Sequence, residues 1–272
     1  MNILETIVAQ KRNEVEERKR LHPLALLEKG TGFKRKTISL RASLEKENSS
    51  GIIAEFKRRS PSKGVINGRA DVQQVTVGYA KGGAAALSVL TDAGFFGGSD
   101  ADLERARISA IPILRKDFMI DEYQIIESRS LGADVILLIA ACLSTKMVRQ
   151  LAALAKSVGL EVLLEIHDET ELGHICPEVD IVGVNNRDLK TFIVDIGRSI
   201  ELSQFIPGEK IRISESGLNT AADIDLLREA GYSGFLIGEK FMREPDPELA
   251  FIDFVNTLTT KPALPVKGGK SI

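Results

Sequence analysis

Two hydrophobic periods run along this chain, one after the other. Over residues 3–20, Ile3, Leu4, Ile7, Val8 and Val15 recur at helical spacing among Lys, Arg and Glu, which predicts an amphipathic helix well ahead of the first strand. Two roles are open to it: a lid or rim helix over a pocket, or a plug in one end of the fold. Its charge run at residues 11–20 mixes both signs and reads as a solvated face. From residue 51 a different rhythm begins. A short run rich in Val, Ile and Leu gives way to a polar loop, a longer stretch of helical period, and another short apolar run. The predicted strands are 52–57, 85–90, 112–116, 135–139, 161–166, 181–185, 210–214 and 234–237, with a helix expected between each pair.

Small residues punctuate the returns to strand: Lys81-Gly82-Gly83, Leu131-Gly132-Ala133-Asp134, Val158-Gly159-Leu160 and Ala230-Gly231-Tyr232. Glycine just past a helix end supplies a left-handed cap, so these stretches mark helix ends. Continuous apolar strands alternating with helices imply a parallel sheet covered on both faces. Such units in series suit a closed (β/α)8 TIM barrel, and the Gly-x-Gly-x-x-Gly fingerprint of an open dinucleotide-binding sheet is missing after the first strand. The expected organisation is one barrel domain over residues 1–258, including an N-terminal helical extension at 1–50. Residues 259–272 carry Pro, Gly and Lys without a period and read as a loose, flexible tail.

Composition narrows the partners. Charged residues make up 27% of the chain with a formal net charge of -2, so no basic field invites nucleic acid. The longest apolar stretches, such as 135–143, fall short of the roughly 20 residues that cross a bilayer. The first residues show no secretory signal core, which points to a cytoplasmic protein. The expected partner is a small phosphorylated substrate, with no nucleic acid or membrane, and the chain is expected as a monomer or weak homo-oligomer. Cys142 and Cys176 are too few for a disulfide framework and read as packing residues. His22, His167 and His174 have no metal-ligand spacing, so no metal is expected.

In a barrel of this kind the working residues stand at the carboxyl ends of strands. The first strand ends Glu55-Phe56-Lys57, and alternation puts Glu55 and Lys57 on one face, either in the barrel mouth or as a structural ion pair closing the core. The third delivers Lys116 where its apolar run stops. The fifth embeds Glu165 among aliphatics, where an unpartnered carboxylate is costly and a lysine would relieve it. The sixth presents Asn185 and Arg187 on one parity; Arg187 either forks onto a carboxylate or forms a rim pair holding Asp188. The last two strands run into Ser214-Glu215-Ser216-Gly217 and Ile237-Gly238-Glu239-Lys240, glycine-bearing loops before helices, which favour a phosphate. Adjacent Phe95 and Phe96 in a glycine-rich loop either wall a pocket for an aromatic ligand or pack under the N-terminal helix.

Read together, Glu55-Phe56-Lys57-Arg58-Arg59-Ser60-Pro61-Ser62, Phe95-Phe96-Gly97-Gly98-Ser99, Leu114-Arg115-Lys116-Asp117-Phe118, Glu165-Ile166-His167, Asn185-Asn186-Arg187-Asp188-Leu189 and Glu215-Ser216-Gly217 resemble the indole-3-glycerol-phosphate synthase family, in order from about residue 3 to 258. The resemblance implies a carboxy-lyase of tryptophan biosynthesis that needs no metal or organic cofactor. Its substrate would be 1-(2-carboxyphenylamino)-1-deoxyribulose 5-phosphate, closed to an indole with loss of CO2 and water. By that likeness Lys116 is the main general acid, and Glu165 and Lys57, assisted by Glu55, transfer protons in the dehydration. Asn185 and Arg187 orient substrate and neighbours, while Glu215 supports the polar network. The phosphate lies on Ser60, Ser216, Gly217, Gly238 and Glu239, the last through its backbone N–H, since some relatives have Ser there. Pro61, Phe96, Phe118, Leu137, Leu189 and Ile237 enclose the aromatic ring. The chain has no tryptophan, so Ile3, Leu4 or Ile7 would replace the aromatic that some relatives carry in the extension. Two alternatives stand beside this reading. A phosphoribosylanthranilate isomerase would want a cysteine at the end of the first strand, where Glu55 and Lys57 stand. A non-catalytic barrel that binds a phosphorylated metabolite would keep Gly217 and Gly238 but lose Lys116 or Glu165, and both are present.

Overall fold

The computed structural model describes residues 3–258, so the stretch expected as a tail, 259–272, lies outside the described residues. Eight parallel strands close into a barrel: β1 (Ile52–Phe56), β2 (Ala86–Leu90), β3 (Ile113–Lys116), β4 (Val135–Ile139), β5 (Glu161–Ile166), β6 (Ile181–Asn185), β7 (Ile211–Glu215) and β8 (Gly234–Ile237). Each pairs with its sequence neighbours, and β1 shuts the ring against β8 through Ile52 opposite Phe235. The predicted strand bounds hold to within a residue.

Side-chain alternation divides the apolar residues into two cores. Ile52, Ala54 and Phe56 point outward into the layer between sheet and helices, whereas Ile53, Ala86, Leu114, Leu163, Ile181 and Ile213 fill the barrel interior. Polar side chains of the inward parity therefore emerge at the carboxyl rim. The helices that return the chain begin on side-chain caps, with Asp71, Ser99, Asp121, Ser144, Thr220 and Asp246 each accepting a backbone N–H of the first turn. At their far ends the predicted glycine returns occur: Gly132 closes helix Glu122–Leu131 at φ 92°, in the left-handed region. One expected helix is absent. Between β5 and β6 the chain makes only a 3-10 turn at Glu169–His174, because Gly173 and Pro177 interrupt a short connection that Asp168 caps tightly through Thr170.

The N-terminal extension uses both ends of the barrel. Helix α1 (Ile3–Leu21) lies at the carboxyl rim, where Ile3, Leu4 and Ile7 face the central cavity. Two short helices, α2 (Leu24–Leu27) and α3 (Thr31–Lys34), then pass along the side. Helix α4 (Leu40–Glu45) stoppers the opposite end with the fully buried Leu40 and Leu44, each worth about 1.5–3 kcal/mol of apolar burial. Its start is fixed by Glu161, which accepts the backbone N–H groups of Leu40 and Arg41 at 2.7 and 3.1 Å. The lid role thus belongs to α1 and the plug role to α4.

The charge run of α1 is not the solvated face its sequence suggests. Lys11 is only 2% exposed, and its ammonium lies 2.8–3.0 Å from Glu14, Asp92 and Asp117. Arg18 reaches Asp100 and Glu127 at 2.6 and 3.1 Å. Docking on acidic loop residues, invisible to local periodicity, buries this part of the run, while Arg12, Glu16, Glu17 and Arg20 stay exposed.

Candidate active site

A cavity of about 760 Å³ opens at the carboxyl ends of the strands. Of the residues named above as site candidates, all but Phe95 line it: Glu55, Lys57, Ser60, Pro61, Phe96, Lys116, Phe118, Leu137, Glu165, Asn185, Arg187, Leu189, Glu215, Ser216, Gly217, Ile237, Gly238 and Glu239.

At its floor the inward parity of four strands gathers charge. The Lys116 ammonium from β3 stands 2.5 Å from Glu215 of β7 and 3.4 Å from Glu165 of β5. Lys57, just past β1, meets Glu55 at 2.6 Å, so this pair sits in the mouth. Asn185 of β6 donates to Glu165 Oε1 at 3.1 Å, and its own oxygen accepts the Arg187 N–H at 3.0 Å. Burial works against the Lys116 charge, but Glu215, Glu165 and Glu55 outweigh it and hold the ammonium protonated far above its ordinary range. Burial likewise lifts the carboxyls. In Glu215 it prevails, helped by the nearby Glu165, and the pKa rises to about 7 despite Lys116. In Glu165 and Glu55 the lysines prevail and hold the pKa below the usual carboxylate range. The cluster thus combines a half-buried ammonium held protonated, carboxylates held anionic by the lysines, and one carboxyl, Glu215, lifted by burial toward neutrality.

Around this floor the walls divide by chemistry. Phe96 and Phe118 pack with ring centroids 6.0 Å apart, and Pro61, Leu137, Leu189 and Ile237 join them on an apolar wall. Phe95 is not part of it; its carbonyl accepts from Arg59 at 3.1 Å instead. Beyond β7 and β8 the backbone itself faces the cavity. Ser216 and Gly217 are both left-handed, at φ 70° and 80°, and their carbonyls are held by the Asn186 and Asn219 side chains at 3.0 and 2.8 Å. A β-carbon on Gly238 would lie 2.8 Å from Glu55 Cβ and Oε1, so only glycine fits beside the charged floor. Ser60 is buried on the same rim. Arg187 makes one long contact with Glu239, 3.6 Å, in place of a fork, and the rim pair with Asp188 does not form; Asp188 caps the turn at Lys190 and Thr191.

Three lining or supporting residues were not among the candidates read from the sequence. Lys11 reaches Asp117 beside Lys116 only through the docking of α1. His167 is buried behind Glu165, and Phe192, at φ 59°, reaches the cavity from an irregular loop after β6. Alternation did hold the clue for His167, which shares the parity of Glu165 at a strand end. Among the described residues no cluster of His, Cys, Asp and Glu could hold a metal ion, and no helix is long and apolar enough to cross a membrane.

A (β/α)8 barrel whose strand ends hold buried lysine–carboxylate contacts at the floor of one cavity defines an enzyme of small-molecule metabolism. Comparison with known proteins narrows the class. The family model described as indole-3-glycerol phosphate synthase matches residues 4–254, and the chain belongs to that family. A relative of that name from Bacteroides thetaiotaomicron is 44% identical over 258 residues, covering 94% of this chain and 99% of the relative. One from Polaromonas sp. is 44% identical over 254 residues, covering 92% and 96%. Solved structures extend the likeness in fold alone. Thiamine phosphate pyrophosphorylase from Pyrococcus furiosus aligns with a TM-score of 0.56 at 12% identity, over 77% of this chain and 96% of its own. A structure described as native KDPGal aligns at 0.53 with 14% identity, over 76% and 91%.

Proposed function

We propose that this chain carries indole-3-glycerol-phosphate synthase activity, closing 1-(2-carboxyphenylamino)-1-deoxyribulose 5-phosphate to the indole with loss of CO2 and water. The observation that supports the residue roles best is the half-buried Lys116 ammonium, paired with Glu215 and Glu165 at the floor of a cavity walled by Phe96 and Phe118. The substrate phosphate rests on the backbone N–H groups of Gly217, Gly238 and Glu239 with the hydroxyls of Ser60 and Ser216, and the carboxyphenyl ring lies on the apolar wall.

In the first step the ring carbon bearing the carboxylate attacks the ketone carbon. The ketone oxygen gains negative charge and takes a proton from the Lys116 ammonium, which the carboxylates of the floor keep charged and in place. CO2 then departs, and its bonding electrons restore the aromatic ring. In the dehydration Lys57, held by Glu55, protonates the leaving hydroxyl, while the anionic Glu165 accepts the proton released as the indole double bond forms. Asn185 orients Glu165, and Glu215 keeps Lys116 aimed inward. The alternative isomerase reading has no support in the mouth of β1, where the Lys57–Glu55 pair replaces a cysteine.

The test is direct. Purified protein, which contains no tryptophan and so gives little background, is expected to generate indole fluorescence from this substrate without added metal and undiminished by a chelator. A folded protein that forms no product would refute the assignment.

A further inference from the structure

We propose that His167 is a positioning residue of the reaction: held as a doubly protonated imidazolium between Glu165 and Glu171, it keeps Glu165 anionic and fixes the direction of its carboxylate. This rests on the reading of Glu165 as proton acceptor. The ring is 6% exposed. Its Nε2 stands 3.2 Å from Glu165 Oε1, off the line of a straight hydrogen bond but within charge contact, and Nε2 has no other partner. Its Nδ1 stands 3.2 Å from Glu171 Oε2, the same oxygen that accepts the His167 backbone N–H at 2.6 Å. A neutral imidazole has one N–H and one lone pair, so in either tautomer a lone pair would face a carboxylate. Only the imidazolium suits both sides. Burial alone would drive the proton off, yet Glu165 and Glu171 more than offset it and raise the pKa to about 10.

The arrangement divides the two oxygens of Glu165. Asn185 and His167 hold Oε1, while Oε2 faces Lys116. The groups around the pair come from every neighbouring element. Lys116 belongs to β3, Asn185 to β6 and Glu215 to β7. Cys142, in the turn after β4, is kept a neutral thiol by burial and by Glu165 and Glu171, its pKa pushed up to about 12. His174 faces the backbone carbonyls of Glu171 and Leu143 at 3.0 Å, which anchors the turn carrying Glu171. His167 is therefore, with Lys116, one of two cations in ion-pair contact with Glu165 among the described residues. Removing its charge leaves three crowded carboxyls, Glu55, Glu165 and Glu215, with less compensation.

Two measurements on the full chain test this. In ring-nitrogen NMR, where only three histidines contribute, His167 is expected to stay doubly protonated through pH 8. In His167→Gln, which keeps polarity but not charge, the acidic limb of kcat/KM is expected to move upward by about one pH unit or more, with KM little changed. Glu171→Gln removes one of the two carboxylates that face the ring, and in the same NMR titration His167 is expected to lose its proton at a lower pH than in the wild type. An imidazole that titrates near its ordinary value, or a limb unmoved while kcat falls equally at every pH, overturns the proposal. If His167→Gln does not fold, Glu171→Gln and the wild-type NMR decide it. Should the wild type form no indole, the functional assignment fails while the NMR still reports on His167.

Discussion

The role proposed for Lys116 follows from its place on a strand. Its parity on β3 points it inward, and ion-pair contact with Glu215 and Glu165 holds its ammonium at the floor of the cavity. Substituting Lys116→Ala is expected to lower kcat by roughly 10²–10⁴ while KM changes by a few-fold at most. Steady-state kinetics check this, and an equal loss in binding would remove its function as an acid. Residues of this kind were legible in the sequence because a charge ending an apolar strand must go somewhere, and period two says where. Lys11 was not legible. Its partners Asp92 and Asp117 lie in loops after two other strands, and only tertiary docking reveals that a lysine in a mixed charge run is buried.

At the scale of elements, α1 is tied down by Lys11 at one end of its charge run and by Arg18 toward the other. Lys11 binds Asp92, whose other oxygen caps the loop carrying Phe96, and Asp117, which precedes Phe118. Burial would lift the Asp117 carboxyl, but Lys11 and Arg115 hold it down at about 2. Lys11→Met would leave two buried carboxylates short of a cation, a change that typically costs about 3–5 kcal/mol. We expect it to lower the melting temperature, free α1 to limited proteolysis and raise KM, since Ile3, Leu4, Phe96 and Phe118 all depend on that docking. Unchanged melting and KM would show that α1 holds by its apolar face alone. The connection between β5 and β6 teaches the reverse lesson. A helix was expected there from the rhythm of the other units, but the capped 3-10 turn is what brings Glu171 beneath His167.

For the whole molecule, the repeating strand–helix rhythm made the barrel legible, because each apolar run is short and buried on both faces. The split use of the extension was not, since the same amphipathic spacing suits a roof or a plug. A global property follows from His167. Its folded pKa, about 10, lies above the ordinary 6.5, so its stabilisation is fully present below about pH 6.5 and is lost as pH rises toward 10. Melting temperature is expected to fall by several degrees over that range, at roughly 2–4 °C per kcal/mol, and the fall should be shallower in His167→Gln. An identical alkaline slope in both proteins would rule this out. Because Leu40 and Leu44 cork the lower end of the barrel while α1 roofs part of the upper, traffic is confined to one doorway. On the proposed placement of the substrate, carbon dioxide and water leave the way the sugar phosphate came in, so whatever narrows that rim slows departure as much as arrival.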